Sequence, residues 1–181
     1  MTVTILGFGG SPRKGSFNSA LLREAKDLMP EGSALNIFDI FGIPLFNQDD
    51  ETNPPEIVKR FKEAIKASDG LLVVSPEYNY SIPGYLKNAI DYASRPPETN
   101  YFKGKPVAFM SASTGMLGGA RAQYHLRQVA VFLDMKPINK PEVFVSFAPT
   151  KFDQNLRLKD DAAIGFMKQL LQELVNACKK A

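Results

Sequence analysis

Apolar residues fall along this chain in two alternating patterns. Residues 3–8 (VTILGF), 70–75 (GLLVVS) and 106–113 (PVAFMSAS) are short continuous apolar runs, the signature of strands buried on both faces. Residues 34–40 (ALNIFDI), which alternate, and 141–147 (PEVFVSF) also read as strands. Between these runs, apolar positions recur at helical spacing. Leu21, Leu22, Ala25, Leu28 and Met29 mark a helix over residues 16–29. Ile57, Val58, Phe61 and Ile65 mark another after Pro54 and Pro55. Tyr85, Leu86, Ala89, Ile90 and Ala93 mark a third, with Pro83 at its first position. A fourth helix is expected at about residues 119–133, and Ile164, Met167, Leu170, Leu171, Leu174 and Cys178 mark the last.

Apolar strands separated by helices imply a parallel sheet covered on both faces. Five such units predict an α/β, doubly wound five-stranded parallel sheet with the flavodoxin-like strand order 2-1-3-4-5. No solenoid-period repeat, low-complexity tract or linker interrupts the 181 residues, so a single domain over residues 1–181 is expected. Ligands of open parallel sheets lie beyond the carboxyl ends of the strands, near the switch in strand order. The loops expected there are residues 9–18 (GGSPRKGSFN), 76–84 (PEYNYSIPG) and 111–119 (SASTGMLGG). Each is rich in glycine, serine, asparagine or tyrosine, so polar capacity gathers at one edge of the sheet.

Composition removes several classes of function. The formal net charge is +3 and no block of five like charges occurs, which excludes a nucleic-acid arm. Cys178 is the only cysteine and His125 the only histidine, too few for a His/Cys metal site or an internal disulfide. A reducing, cytoplasmic setting follows. No apolar run approaches the ~18 residues of a membrane span. Met1 leads almost directly into the first strand, so no signal peptide is expected. Cys178 belongs to an apolar helix stripe and is expected in the core, whereas His125 is expected at a surface or interface.

The first loop has the composition of an anion site yet fits neither common glycine-rich phosphate motif. Gly10 and Gly15 have the Walker separation, but Ser16 and Phe17 follow where lysine and Ser/Thr are required. Gly7 and Gly9 begin a dinucleotide fingerprint, but Pro12 takes the place of its third glycine. What remains suits one terminal phosphate. Ser16 can cap the following helix, whose free N–H groups and positive dipole end meet the loop. Ser11, Ser16 and Asn18 can donate hydrogen bonds, Arg13 adds a charged donor, and Lys14 reads as solvated. On this loop alone, an ordinary surface turn with an ordinary cap fits equally well. A tyrosine phosphatase of this fold would need a cysteine in the first loop, and a Ser–His–Asp hydrolase a G-x-S-x-G elbow; both are absent.

Three segments together, GSPRKGSFN, SPEYNYSIPGYLKNAIDYASRP and GKPVAFMSASTGMLGGARAQYHLRQ, resemble the NADPH-dependent FMN reductase family, in particular members described as chromate, quinone or azo reductases. The likeness runs over residues 3–145. It implies that Ser11, Arg13, Ser16 and Asn18 grip the FMN phosphate with Phe17 alongside. It also implies that Pro76, Glu77, Tyr78 and Asn79 line the isoalloxazine ring, and that the segment beginning Ser113, Thr114, Gly115 closes over its other edge. NADPH, or NADH, is the implied co-substrate, and a quinone, azo compound, chromate or free flavin the small-molecule acceptor. No catalytic side chain is expected, because the redox chemistry belongs to the flavin.

The resemblance further implies a homo-oligomer, a dimer or a tetramer, with flavin sites at the interface. Glu77 then pairs across that interface or is simply solvated. Lys87, Asn88 and Asp91 either join the interface or form a polar helix face. Tyr80 reads as a weaker candidate than Tyr78 for an aromatic wall. The long segment 41–55 (FGIPLFNQDDETNPP) either borders the site or packs on the surface. The rival functional reading is a flavodoxin-like electron carrier that holds FMN without turning over NAD(P)H; the basic charge and Arg13 count against it.

Overall fold

A computed structural model describes residues 2–180. Strand β1 (Val3–Gly9) pairs in parallel with β2 (Ser33–Ile37) on one side and β3 (Gly70–Val74) on the other. β4 (Pro106–Ala112) follows β3, and the order 2-1-3-4-5 holds as expected. Beyond β4 the sheet holds two short strands where one was expected. β5 (Lys136–Pro137) pairs with Pro106 and Val107, and β6 (Val143–Val145) pairs with residues 110–112 of β4. The register slips between them, Val107 lying opposite Pro137 but Met110 opposite Val143, so no single regular ladder runs along this edge.

Helices cover both faces. α1 (Phe17–Asp27) and α6 (Asp161–Cys178) pack Leu21, Leu22, Met167, Leu171 and Leu174 against Ile5, Leu72, Val74 and Met110. On the other face α2 (Glu56–Ala67), α3 (Gly84–Ala93) and α4 (Ala120–Phe132) set Phe61, Ile65, Leu86, Ile90 and Leu126 on Leu6, Phe8, Leu71, Val73 and Phe109. Neighbouring residues of one strand enter opposite clusters, as a pleat buried on both faces requires. Edge strand β2 buries only Leu35, which accounts for its alternating sequence.

Pro83 proves to be the N-cap of α3 rather than its first residue. A four-residue helix, α5 (Ala148–Lys151), follows Phe147, whose φ of 49° is left-handed; the sequence reading had no helix there. Cys178 is half-buried against the core, and burial pushes its thiol up to about 11.

The long segment 41–55 packs on α3. The Asn88 amide accepts from the Phe46 N–H and donates to the Pro44 carbonyl, both at 2.8 Å. The buried Tyr92 hydroxyl donates to Asp50 at 3.1 Å. Phe41, at the start of the segment, sets its ring 5.2 Å from Tyr85, which touches the first loop.

Candidate active site

The carboxyl ends of β1, β3 and β4 meet where the strand order reverses, and the three loops open there. At the end of β1, Gly9 adopts φ 112° and presses against β3: a Cβ here would lie 2.1 Å from the Val74 carbonyl oxygen. That same carbonyl accepts from the Gly10 N–H at 2.7 Å. The strand therefore turns into the first loop with no room for a side chain.

Two residues that the sequence reading passed over hold this loop. Ser19 Oγ accepts from the Ser11 N–H and donates to the Ser11 carbonyl, both at 3.1 Å. Tyr85, read from its spacing as an apolar helix position, donates its hydroxyl to the Gly10 carbonyl at 2.7 Å. Burial, and then the neighbouring Tyr78, push the Tyr85 phenol well above its ordinary value, so it keeps this proton. No short-range signal marks either role, because each depends on a partner that only the fold supplies.

Ser16 caps α1 as expected, its Oγ accepting from the Ser19 N–H at 3.2 Å. The N–H groups of Phe17 and Asn18, in the first helical turn, have no acceptor among the described residues. Beside them lies a cavity of about 180 Å³. It gathers Ser11, Arg13, Ser16, Phe17 and Asn18 from the first loop, Pro76, Glu77 and Tyr78 from the second, and Ser113 and Thr114, with Ala112, from the third. Asn79 and Gly115 do not line it. Asn79 and Tyr80, with φ 49° and 66°, form the tip of a two-residue turn closed by paired 2.9 Å hydrogen bonds between Tyr78 and Ser81. Gly115 donates its N–H to Ser113 Oγ at 3.1 Å.

Two of these side chains have partners within the chain. Both ends of the Asn18 amide are taken by Ala112, whose carbonyl accepts and whose N–H donates at 2.8 Å each. What Asn18 leaves unpartnered is its backbone N–H. Glu77 accepts from the Arg121 N–H and from the Arg121 guanidinium, each at 3.1 Å. It thus pairs within the chain at the start of α4 and meets the helix's positive end. The Arg121 guanidinium in turn lies 3.7 Å from the centre of the Tyr80 ring. On α3, Lys87 pairs with Asp91 at 2.7 Å on the exposed face, and His125 hydrogen-bonds Ser81 at 2.8 Å.

Unpartnered N–H groups at a helix start, two serine hydroxyls and a guanidinium make a site for an anion. The carboxylate that lines it, Glu77, is paired with Arg121. The volume is below the roughly 300–1,000 Å³ of pockets that enclose a whole ligand. It suits a phosphoryl group and the chain next to it, with the remainder of the ligand at the open edge.

A family profile described as NADPH-dependent FMN reductase matches residues 3–150, from β1 into α5. The chain belongs to that family. It is 54% identical over 173 residues to an NAD(P)H-dependent FMN reductase of Pseudomonas aeruginosa, covering 95% of this chain and 93% of that protein. It is 44% identical over 179 residues to an NADPH:quinone oxidoreductase of Arabidopsis thaliana, covering 95% and 90%. Among solved structures, the flavoenzyme NAD(P)H:(acceptor) oxidoreductase FerB from Paracoccus denitrificans superposes with a TM-score of 0.90 at 31% identity, covering 99% of this chain and 98% of that one. The protein is therefore an oxidoreductase that uses FMN and NAD(P)H. Its donor set fits that cofactor: FMN ends in a phosphate monoester, and the unpartnered N–H groups beside Arg13 are what such a dianion requires.

Proposed function

We propose that this FMN reductase holds FMN by its terminal phosphate in the first loop and delivers electrons from NAD(P)H to a quinone. The observation that carries the proposal is the convergence on one small cavity of donors that lack acceptors among the described residues: the Phe17 and Asn18 N–H groups and the Arg13 guanidinium. The hydroxyls of Ser11 and Ser16 would complete the phosphate's partners. Pro76, Glu77, Tyr78 and Asn79 would flank the ring on one side and Ser113, Thr114 and Gly115 on the other. The Thr114 N–H has no acceptor among the described residues and would donate to the ring edge, favouring negative charge there.

When bound, FMN supplies the redox chemistry, accepting a hydride and passing on electrons. The protein's part is to anchor, orient and leave one ring face open. That explains why its single histidine and single cysteine lie away from the cavity.

A quinone is favoured as acceptor because relatives named for quinones accompany the FMN reductase, and a flat ring can stack on an open flavin face. The reading includes one domain and a homodimer or homotetramer in the cytoplasm. A groove of about 710 Å³ between α3 and α4 supports self-association, with Phe132 on its wall 80% exposed. Among the described residues no helix is long and apolar enough to cross a membrane. Steady-state turnover with NADPH should give a kcat/KM for a benzoquinone at least about tenfold above that for free FMN, a difference of roughly 1.4 kcal/mol in transition-state stabilisation. Equal or reversed values would move the assignment to free flavin as acceptor.

A further inference from the structure

A run of buried polar contacts starts at two residues that line the cavity, Asn18 and Ala112, and continues beneath it through residues that do not. From α1, the Asn18 amide clasps the Ala112 backbone at the end of β4. One residue earlier, Ser111 donates its hydroxyl to the carbonyl of Gly118, near the end of the third loop, at 2.6 Å. Ser111 accepts in turn from Gln123 Nε2 of α4 at 2.8 Å, and the same nitrogen donates to the Val143 carbonyl of β6 at 2.9 Å. Ser111 and Gln123 are fully buried and Asn18 almost so. The third loop seats directly on this pair: Gly119, at φ 89°, would place a Cβ 2.7 Å from that of Ser111.

Gln123 is a costly residue to keep here. Its Oε1 is buried without any hydrogen-bond partner among the described residues, and a buried acceptor without a donor destabilises the fold. A hydrocarbon side chain would avoid that cost. What only a donor pair can supply is the fixed connection of Ser111, Val143 and, through Ser111, the third loop.

We infer that Gln123 and Ser111 are positioning residues that fix the third loop at a set distance from the first, so that one ligand reaches from the phosphate donors of α1 to the ring edge. This rests on the proposed FMN site. FMN must satisfy both loops at once, whereas riboflavin, with no phosphate to anchor, can follow a displaced third loop. Loosening the connection therefore penalises FMN selectively.

The test is calorimetric titration of wild-type protein, Ser111→Ala and Gln123→Met with FMN and with riboflavin, alongside thermal unfolding. Ser111→Ala removes only one oxygen, so a folded variant is available even where Gln123→Met fails to fold. The expected result is an FMN Kd raised about tenfold, the equivalent of one buried hydrogen bond, with the riboflavin Kd changed less than about twofold. A role confined to stability would lower the unfolding temperature and leave the FMN-to-riboflavin ratio of the folded protein unchanged. Variants that retain the wild-type ratio, or weaken both flavins alike, overturn the positioning role alone. Wild-type protein that shows no preference for FMN over riboflavin contradicts the phosphate site itself, and the inference with it.

Discussion

Gly9→Ala is expected to destabilise the protein by about 4 kcal/mol, among the larger effects of any single substitution. Two mechanisms act together. Gly9 adopts φ 112°, a conformation that L side chains rarely adopt. Its Cβ would also lie 2.1 Å from the Val74 carbonyl oxygen, a backbone atom that no rotamer change can move aside. Relief requires β1 and β3 to separate at their carboxyl ends, which also releases the Gly10 N–H from Val74 and unseats the first loop. For a chain of this length the loss corresponds to a fall of roughly 8–16 °C in Tm. Thermal unfolding followed by circular dichroism measures it, and a Tm within about 2 °C of wild type would show that the end of β1 is not packed as described. FMN binding should fall with it, because the anion donors of α1 are aligned by this turn.

Arg13→Ala is expected to leave Tm nearly unchanged while weakening FMN binding by about ten- to over a hundredfold. Arg13 is exposed and its guanidinium donates to no acceptor among the described residues, lying only 5.8 Å from the Phe17 ring centre. The folded protein therefore gives up little. The complex gives up a charge-assisted hydrogen bond of about 1.5–3 kcal/mol. Arg13→Lys should recover only part of this, since an ammonium keeps the charge without the planar fork. Riboflavin affinity should not respond to either change. An FMN Kd unchanged in Arg13→Ala would remove Arg13 from the phosphate site.

The contrast between the two substitutions follows from what each residue does, and it also separates what the sequence could tell from what it could not. Burial of strands on both faces is written in their continuous apolar runs, so the sheet, its order and the three loops at its carboxyl edge were legible. Ser16 as a cap is a local signal and was legible too. Roles that depend on distant partners were not. Asn18 looks like a free donor until Ala112, 94 residues away, is seen to occupy its amide. Tyr85 looks like core until its hydroxyl meets Gly10, 75 residues away. Glu77 finds Arg121 only because β3 and α4 are brought together. The division of the fifth sheet position into β5 and β6 reflects a slip in register against β4, and so short a strand as Lys136–Pro137 leaves no periodic pattern to read.

The central claim is that the cavity at the start of α1 holds the phosphate of FMN in an enzyme reduced by NAD(P)H. Its most direct measurement is to load the purified protein with FMN, remove the excess, and add NADPH without oxygen while following the flavin's visible absorbance. The account predicts one FMN retained per chain, and little riboflavin retained by protein loaded with it at the same concentration. It also predicts rapid bleaching of that absorbance by NADPH and its return on adding a quinone. A protein that retains no FMN, or retains riboflavin equally well, would contradict the phosphate site. Retained FMN that NADPH and NADH both leave oxidised would contradict the enzyme and leave an electron carrier in its place.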